Sequence, residues 1–434
     1  RRCSSRSSPV PSPPPHRPGA SGARPLPACW PTPVPSPDPR ALALLLLMAL
    51  AGPLHGAESG SAGRPGMDVG AVLGGAATAG FRVADRPRAF SFPADHGAHP
   101  AFRSEWWYLT AHLEDEAGRA FGLQFTLFRQ ALAPPRAPVA DASRWRTEQV
   151  WMAHLALTAE DGGHRVAERF ARGALGLAGV EAAPFAAWLD DWRLERDAEA
   201  AVEADDGSGG LFPLRLRANV PAEETRPRGA SFAVDLRLET AKPPVLQGED
   251  GLSRKSDRAG NASYYYSLTR LPAAGELRIG ERRFRVTGLG WLDREWSTSA
   301  LDPGQTGWDW FALHLDDGRD LMLYRIRRAD GSVDAASAGV LVAADGSRTA
   351  LAAGDWRLEP LERWRDGEGG AWPVAWRLVL PGHGVDGVVR AVLDDALNRV
   401  SVRYWEGMVC LEPAVAGAAA GCGYLELTGY DDPG

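Results

Sequence analysis

The feature that most constrains this chain is a rhythm. Short runs in which apolar residues alternate with polar ones recur about every ten residues, divided by Gly-, Asp- or Pro-bearing turns. Period-two alternation sends successive side chains to opposite faces, so each run reads as a strand. Trp106, Tyr108, Thr110 and His112 point one way, and Trp107, Leu109, Ala111 and Leu113 the other. A turn at residues 114–118 leads into Phe121, Leu123, Phe125 and Leu127, which alternate with Gly122, Gln124 and Thr126, making a hairpin. Further strands are expected at Val150–Thr158, Trp188–Leu194, Leu211–Val220, Ser231–Thr240 and around Tyr264–Leu271, and the second half repeats the spacing. The expectation is an all-β chain with antiparallel sheets, with closure into barrels favoured because it removes open edges.

The first hairpin recurs. Laying Trp106–Asp115 over Trp308–Asp317 matches Trp106 with Trp308, Tyr108 with Trp310, His112 with His314 and Leu113 with Leu315, then the acidic turn. This predicts an internal duplication and two related β domains, residues 88–272 and 273–434. Ahead of them, residues 58–87 are Gly/Ala-rich and read as a linker.

Residues 1–57 combine a Pro/Ser/Arg-rich extension with a secretory layout. Arg40 precedes the apolar run ALALLLLMALAG, which a small-residue exit follows. A signal peptide at about residues 40–57 implies a periplasmic or secreted mature protein, and the run is too short to span a bilayer. The formal charge is −7; residues 1–57 carry six Arg against Asp38, a net of +5, so the remainder carries about −12. An acidic body argues against a nucleic-acid partner. Cys410 and Cys422 read as a disulfide closing one loop, the alternative being a catalytic thiol, for which no activating base lies nearby in sequence.

Chemistry concentrates between Gly290 and Trp310, where Trp291, Trp296, Trp308 and Trp310 surround Asp293, Arg294, Glu295 and Asp309. Ser104-Glu105-Trp106-Trp107-Tyr108 looks like its partner. Glu105, Glu295 and Glu406 each adjoin tryptophan, and serve either acid/base chemistry or as acceptors for indole N–H groups. His112 and His314 share the aromatic face as ligand-binding groups or as satisfied barrel histidines. His96 and His99 form either a metal pair or solvated loop histidines. The mature chain holds no G-x-S-x-G elbow, phosphate loop or dinucleotide fingerprint, and no cofactor or metal is expected.

Six blocks in order carry a family resemblance: Ser104–Tyr108, Leu246-Gln247-Gly248, Ser263–Ser267, Gly290–Trp296, Tyr404–Gly407 and Gly423–Tyr430. The chain resembles the AttH-like, carotenoid 1,2-hydratase-related group of secreted bacterial proteins over about residues 90–432. The resemblance implies two tandem lipocalin-like (calycin) β-barrel domains packed together, with a ligand cavity between or within them. It also implies hydration of an isoprenoid double bond as one activity, pericyclic cyclisation in distant fungal members, a secreted-hydrolase label in many bacterial ones, and an envelope transporter complex as a partner.

Alkene hydration requires a proton donor, a wall that tolerates a cation and a placed water. Asp293 between tryptophans is the candidate acid, Glu105 a second carboxylate, and Tyr324 a group to place water or relay a proton. Trp106, Tyr108, Trp291, Trp296, Trp308 and Trp310 supply aromatic faces for a hydrophobic ligand. The hydratases favour His after the Asp; Arg294 stands there instead, and beside Asp293 it is expected to hold that carboxylate ionised within a structural ion-pair network. Two functions follow: an exported protein binding an isoprenoid or lipid-like molecule, or a cofactor-independent hydratase or hydrolase using Asp293 as acid.

Overall fold

The computed structural model describes residues 79–430 apart from 136–142, 144, 161, 200–206, 299 and 300. The expected extension, the expected signal peptide and most of the expected linker lie outside the described residues. Helix among the described residues is confined to one 3-10 turn, Ala94–His96.

The first sheet opens with long strands β1 (Ser104–Asp115), β2 (Ala120–Ala131), β3 (Gln149–Ala159) and β4 (Gly163–Arg172). Short strands β5 (Ala178–Ala182), β6 (Phe185–Leu189) and β7 (Trp192–Arg196) follow, then β8 (Leu214–Val220) and β9 (Phe232–Leu238). Two short strands, β10 (Val245–Leu246) and β11 (Leu252–Arg254), precede the longest, β12 (Ala262–Ile279) and β13 (Arg282–Ser297). Their order is β4-β3-β2-β1-β13-β12-β9-β8-β7-β6-β5, antiparallel throughout, with β10 and β11 on the side of β12.

The second sheet comprises β14 (Gln305–Leu315), β15 (Asp320–Arg328), β16 (Ala338–Val342), β17 (Arg348–Ala352), β18 (Arg357–Arg365) and β19 (Ala371–Leu380). It ends with β20 (Val385–Ala391), β21 (Leu397–Arg399), β22 (Arg403–Pro413) and β23 (Gly421–Leu427). The order β17-β16-β15-β14-β23-β22-β20-β19-β18 matches the first sheet strand for strand from β4 to β7. The duplication read from one hairpin therefore extends over a whole sheet. Strands β5 and β6 have no counterpart on that path: the first sheet is a nearly closed barrel and the second a half-barrel.

Alternation decides the packing. Trp107, Leu109, Ala111 and Leu113 of β1 join Phe121, Leu123, Phe125 and Leu127 of β2 in the core of the first barrel. The opposite faces meet: Tyr108, Tyr265 and Trp291 pack with Trp310, Met322, Tyr324, Met408 and Tyr424 of the second sheet. The central strands are thus buried on both sides. Where the sheets meet, the packing is tight; a Cβ at Gly122 of β2 would lie 2.6 Å from the Tyr424 hydroxyl oxygen of β23 and 3.2 Å from the Met408 Cβ of β22. Buried charge also spans the junction, since Lys242 Nζ lies 2.7 Å and Arg270 2.8 Å from the Asp320 carboxylate.

Several expectations change. Trp188–Leu194 is a hairpin rather than one strand, turning at Asp190, whose φ of 53° lies in the left-handed region. Pro272, placed at the domain boundary by sequence, pairs with Leu289 inside the first sheet, and the chain passes to the second sheet between Ser297 and Gln305. Cys410 and Cys422 are disulfide-bonded, directly opposite each other on β22 and β23.

One end of the first barrel is built on Glu105. Its carboxylate bonds both Arg129 and Arg294, and all three side chains are buried. Removing the carboxylate strands two guanidinium groups away from water. Glu105→Ala is expected to lower unfolding free energy by about 3–5 kcal/mol, measured by urea denaturation; a loss no larger than that of an exposed carboxylate, such as Glu116→Ala, would contradict this role.

Candidate active site

A cavity of about 110 Å³ lies between the two sheets, outside either barrel core. Its walls come in pairs related by the duplication. Tyr108 faces Asp293 across the β1–β13 ladder, and Trp310 faces Glu426 across β14–β23. Trp106 and Trp308, Tyr108 and Trp310, Phe128 and Ile326, Tyr265 and Tyr404, and Asp293 and Glu426 all line it. The pairing extends along the chain: Gly290-Trp291-Leu292-Asp293 corresponds to Gly423-Tyr424-Leu425-Glu426.

Asp293 is 3 % exposed and lines the cavity. Its Oδ1 accepts hydrogen bonds from Ser267 Oγ at 2.5 Å and Trp291 Nε1 at 2.7 Å, and its Oδ2 accepts one from the Tyr265 hydroxyl. These donors favour the anion, yet burial outweighs them and pushes the carboxyl up to about 7. A substantial fraction is therefore the neutral acid at neutral pH. Arg294 does not oppose this, because it leaves the strand on the other face, towards Glu105. The expectation that Arg294 holds Asp293 ionised is thus overturned.

Glu426 is its counterpart in chemistry as well as position. Trp308 Nε1 donates to it at 2.5 Å, but burial pushes it up to about 7, and the Asp293 charge adds to the rise. Behind it, Glu406 is raised well above the usual carboxylate range by burial and by Glu426. The Tyr108 hydroxyl donates to Glu406 Oε1 at 2.5 Å. Glu406 Oε2 has no hydrogen-bond partner among the described residues.

Among the described residues, one lysine reaches the cavity wall. Lys255 Nζ pairs with Glu295 at 3.0 Å and lies 4.6 Å above the Tyr324 ring. Burial disfavours its charge, but Glu295 more than offsets this and raises the ammonium. Tyr324, expected to place water, lines the cavity, and its hydroxyl lies 3.2 Å from Ser253 Oγ.

The residues chosen from sequence divide in two. Asp293, Tyr324, Trp106, Tyr108, Trp308 and Trp310 meet at the cavity. Glu105 does not line it; burial would raise its carboxyl, but Arg294 and Arg129 hold it well below the usual range, which makes it an ion-pair centre rather than an acid. Trp296 belongs to the first barrel, stacked on His99 at 3.9 Å, and Trp291 stands behind the wall, donating to Asp293 and lying edge-on to Trp310.

His112 and His314 are equivalent in the duplication and meet behind the cavity. His314 Nε2 donates to the Thr269 carbonyl at 2.7 Å, so its Nδ1 accepts from His112 Nε2 at 3.0 Å. Burial lowers both to about 3, leaving a neutral pair. His96 and His99 are not solvated loop residues: His96 bonds Tyr266 and Ser208, and His99 bonds Asp95 and Glu105. No group of three or more potential ligands that could hold a metal ion occurs among the described residues.

Sequence reasoning missed Glu426, Tyr265, Tyr404, His154 and Lys255 on the wall. Glu426 was within reach, since the closing Gly423-Tyr424-Leu425-Glu426 echoes Gly290-Trp291-Leu292-Asp293. His154 carried no signal, because its role comes from strands distant in sequence.

A buried acid in an aromatic seam between two stacked antiparallel β-sheets defines the class as a lipocalin-like double domain. The chain belongs to the AttH-like family, whose model matches residues 83–430. It is 32% identical to an AttH-type protein of Nitrosomonas europaea of known crystal structure, with a TM-score of 0.66, covering 81% of this chain and 100% of that one. Kievitone hydratase of Nectria haematococca is 12% identical with a TM-score of 0.51, covering 80% of this chain and 98% of that one, a likeness of fold. No protein of curated function matches the sequence.

The carboxyl of Asp293 makes stability depend on pH. Its folded value, about 7, lies above the ordinary 3.8, so the folded state keeps a proton that the unfolded chain releases. Stability should therefore fall as pH rises from about 4 to about 7 and then level off. Asp293→Asn should remove on the order of 4 kcal/mol of this slope, from about three pKa units, in urea unfolding at several pH values; an unchanged slope contradicts the assignment.

Proposed function

We propose that the protein binds an apolar, unsaturated molecule of isoprenoid type between its sheets and hydrates a carbon–carbon double bond, with Asp293 as the acid. The observation that carries this reading is the Asp293 carboxyl, neutral in large part, at the wall of a cavity faced by Trp106, Trp308, Trp310, Tyr265 and Tyr324. The chemistry is protonation of an alkene carbon, capture of the resulting tertiary cation by water, and loss of a proton from the oxonium. Breaking the Asp293 O–H bond forms the C–H bond, and aromatic faces stabilise the cation by about 0.5–2 kcal/mol each. The cavity, about 110 Å³, is on the scale of the roughly 150 Å³ voids that hold benzene. It suits one isoprene end group rather than a whole long chain. A structural neighbour named as a hydratase is in keeping with this chemistry.

Export to the periplasm or the medium accompanies the proposal. The signal-like segment at residues 40–57 supports it, as does the Cys410–Cys422 disulfide, a bond at home in an oxidising compartment.

The test uses geraniol, an isoprenoid alcohol ending in a trisubstituted alkene, in water enriched in heavy oxygen. Wild type should form a labelled tertiary alcohol, while Asp293→Asn should lose about 10²–10⁴-fold in turnover but still quench tryptophan fluorescence on binding. Equal turnover by Asp293→Asn would remove Asp293 as the acid. Binding without turnover by wild type would leave a ligand-binding protein.

A further inference from the structure

We propose that Tyr404, His154 and Glu168 form a proton relay that takes up the proton released by the attacking water. The inference rests on the hydration reading and supplies the base that reading requires. The relay is assembled from β3, β4 and β22, whereas Asp293 sits on β13.

The direction of each hydrogen bond follows from its neighbours. Glu168 stands opposite His154 on the β3–β4 ladder, and its carboxylate receives the Ser401 backbone N–H, 3.2 Å from each oxygen, and the Ser401 hydroxyl. So anchored, it accepts the His154 Nε2–H at 3.0 Å, which leaves the Nδ1 lone pair free to accept. Nδ1 lies 2.7 Å from the Tyr404 hydroxyl.

The other side of Tyr404 is fixed too. Gln124 Oε1 accepts from Asn398 Nδ2 at 3.3 Å, so Gln124 Nε2 faces Tyr404 and donates to its oxygen at 2.9 Å. Asn398 is held in turn, its Oδ1 lying 2.9 Å from His164 Nε2. Since Tyr404 oxygen receives a hydrogen from Gln124, its own hydrogen points to His154 Nδ1. A proton arriving at Tyr404 oxygen therefore has one way onward.

Tyr404 and His154 both line the cavity. The His154 side chain is 1% exposed and that of Glu168 15%, so the chain leads outward from the cavity. Burial lifts the Tyr404 phenol well above its usual range, so it acts as a conductor rather than as a standing tyrosinate. The duplication sharpens the contrast. Tyr265, its equivalent, donates to the Asp293 carboxyl, while Tyr404 meets an imidazole. One tyrosine serves the acid end and its copy the base end.

The step balances. Asp293 loses its proton to the alkene carbon, and water oxygen bonds the cationic carbon. One oxonium O–H then breaks towards Tyr404 oxygen as the Tyr404 O–H proton passes to His154 Nδ1. The imidazolium rests against Glu168, and a proton returned through solvent restores neutral His154 and protonated Asp293. Tyr404 contacts the water, His154 is the base, and Glu168 is a positioning residue.

With geraniol as probe, Tyr404→Phe and His154→Gln should each lower kcat by about 10²-fold or more, with KM and fluorescence-detected affinity little changed. Added imidazole should restore turnover to His154→Gly, a recovery that a merely structural histidine would not show. Glu168→Gln should lower kcat in the same manner. If wild type turns over, Asp293→Asn does not, and His154→Gln matches wild type, the relay is wrong while the hydration reading stands. If wild type binds geraniol without hydrating it, both fall.

Discussion

A strand cannot send two adjacent side chains to the same face, and that restriction in β13 is what the site depends on. Asp293 and Glu295 face the second sheet, while Arg294 between them enters the first barrel. Had all three shared a face, the guanidinium would have paired with Asp293 and fixed it as an anion. Instead Arg294 is consumed by Glu105, with its guanidinium 3.8 Å from the Trp107 ring. The same alternation therefore supplies an ion-paired barrel end and an unpaired acid in the seam.

The seam exists because the fold is used twice. Neither sheet encloses the cavity; each offers one aromatic face, and stacking the two faces excludes water. Exclusion of water is what raises Asp293 and Glu426. The chemistry lies in the differences between the halves. Ser267, which donates to Asp293, occupies the position that Glu406 holds beside Glu426, and the first half alone brings Lys255 to the wall. A symmetric pair of acids has become an acid supported by three donors and a second carboxyl backed by a third.

Polar contacts between the halves serve both stability and site. The neutral His112–His314 pair and the Lys242–Asp320–Arg270 cluster hold the seam without placing an uncompensated cation at the cavity. Lys255, which does reach the wall, is neutralised by Glu295. The wall can therefore carry Lys255 while burial still keeps Asp293 and Glu426 partly protonated.

The amino-acid sequence by itself determined the all-β class, the facing of β1 and β2 and the duplication, because period-two alternation and turn residues are local properties. It placed Trp107 and Leu109 in the barrel core, and marked Asp293, Trp106, Tyr108, Trp308, Trp310 and Tyr324, which do share the cavity. It grouped Glu105 and Trp296 with them by proximity in sequence and tryptophan density, although alternation sets Glu105 on the face of Trp107 and Trp296 on the face opposite Asp293. Only the tertiary structure decided that Glu105 is what meets Arg294, that Glu426 shares one cavity with Asp293, and that Glu168, His154 and Tyr404 are joined. Those relations are set by register and by sheet stacking, which link residues up to 250 positions apart, and no local pattern encodes them.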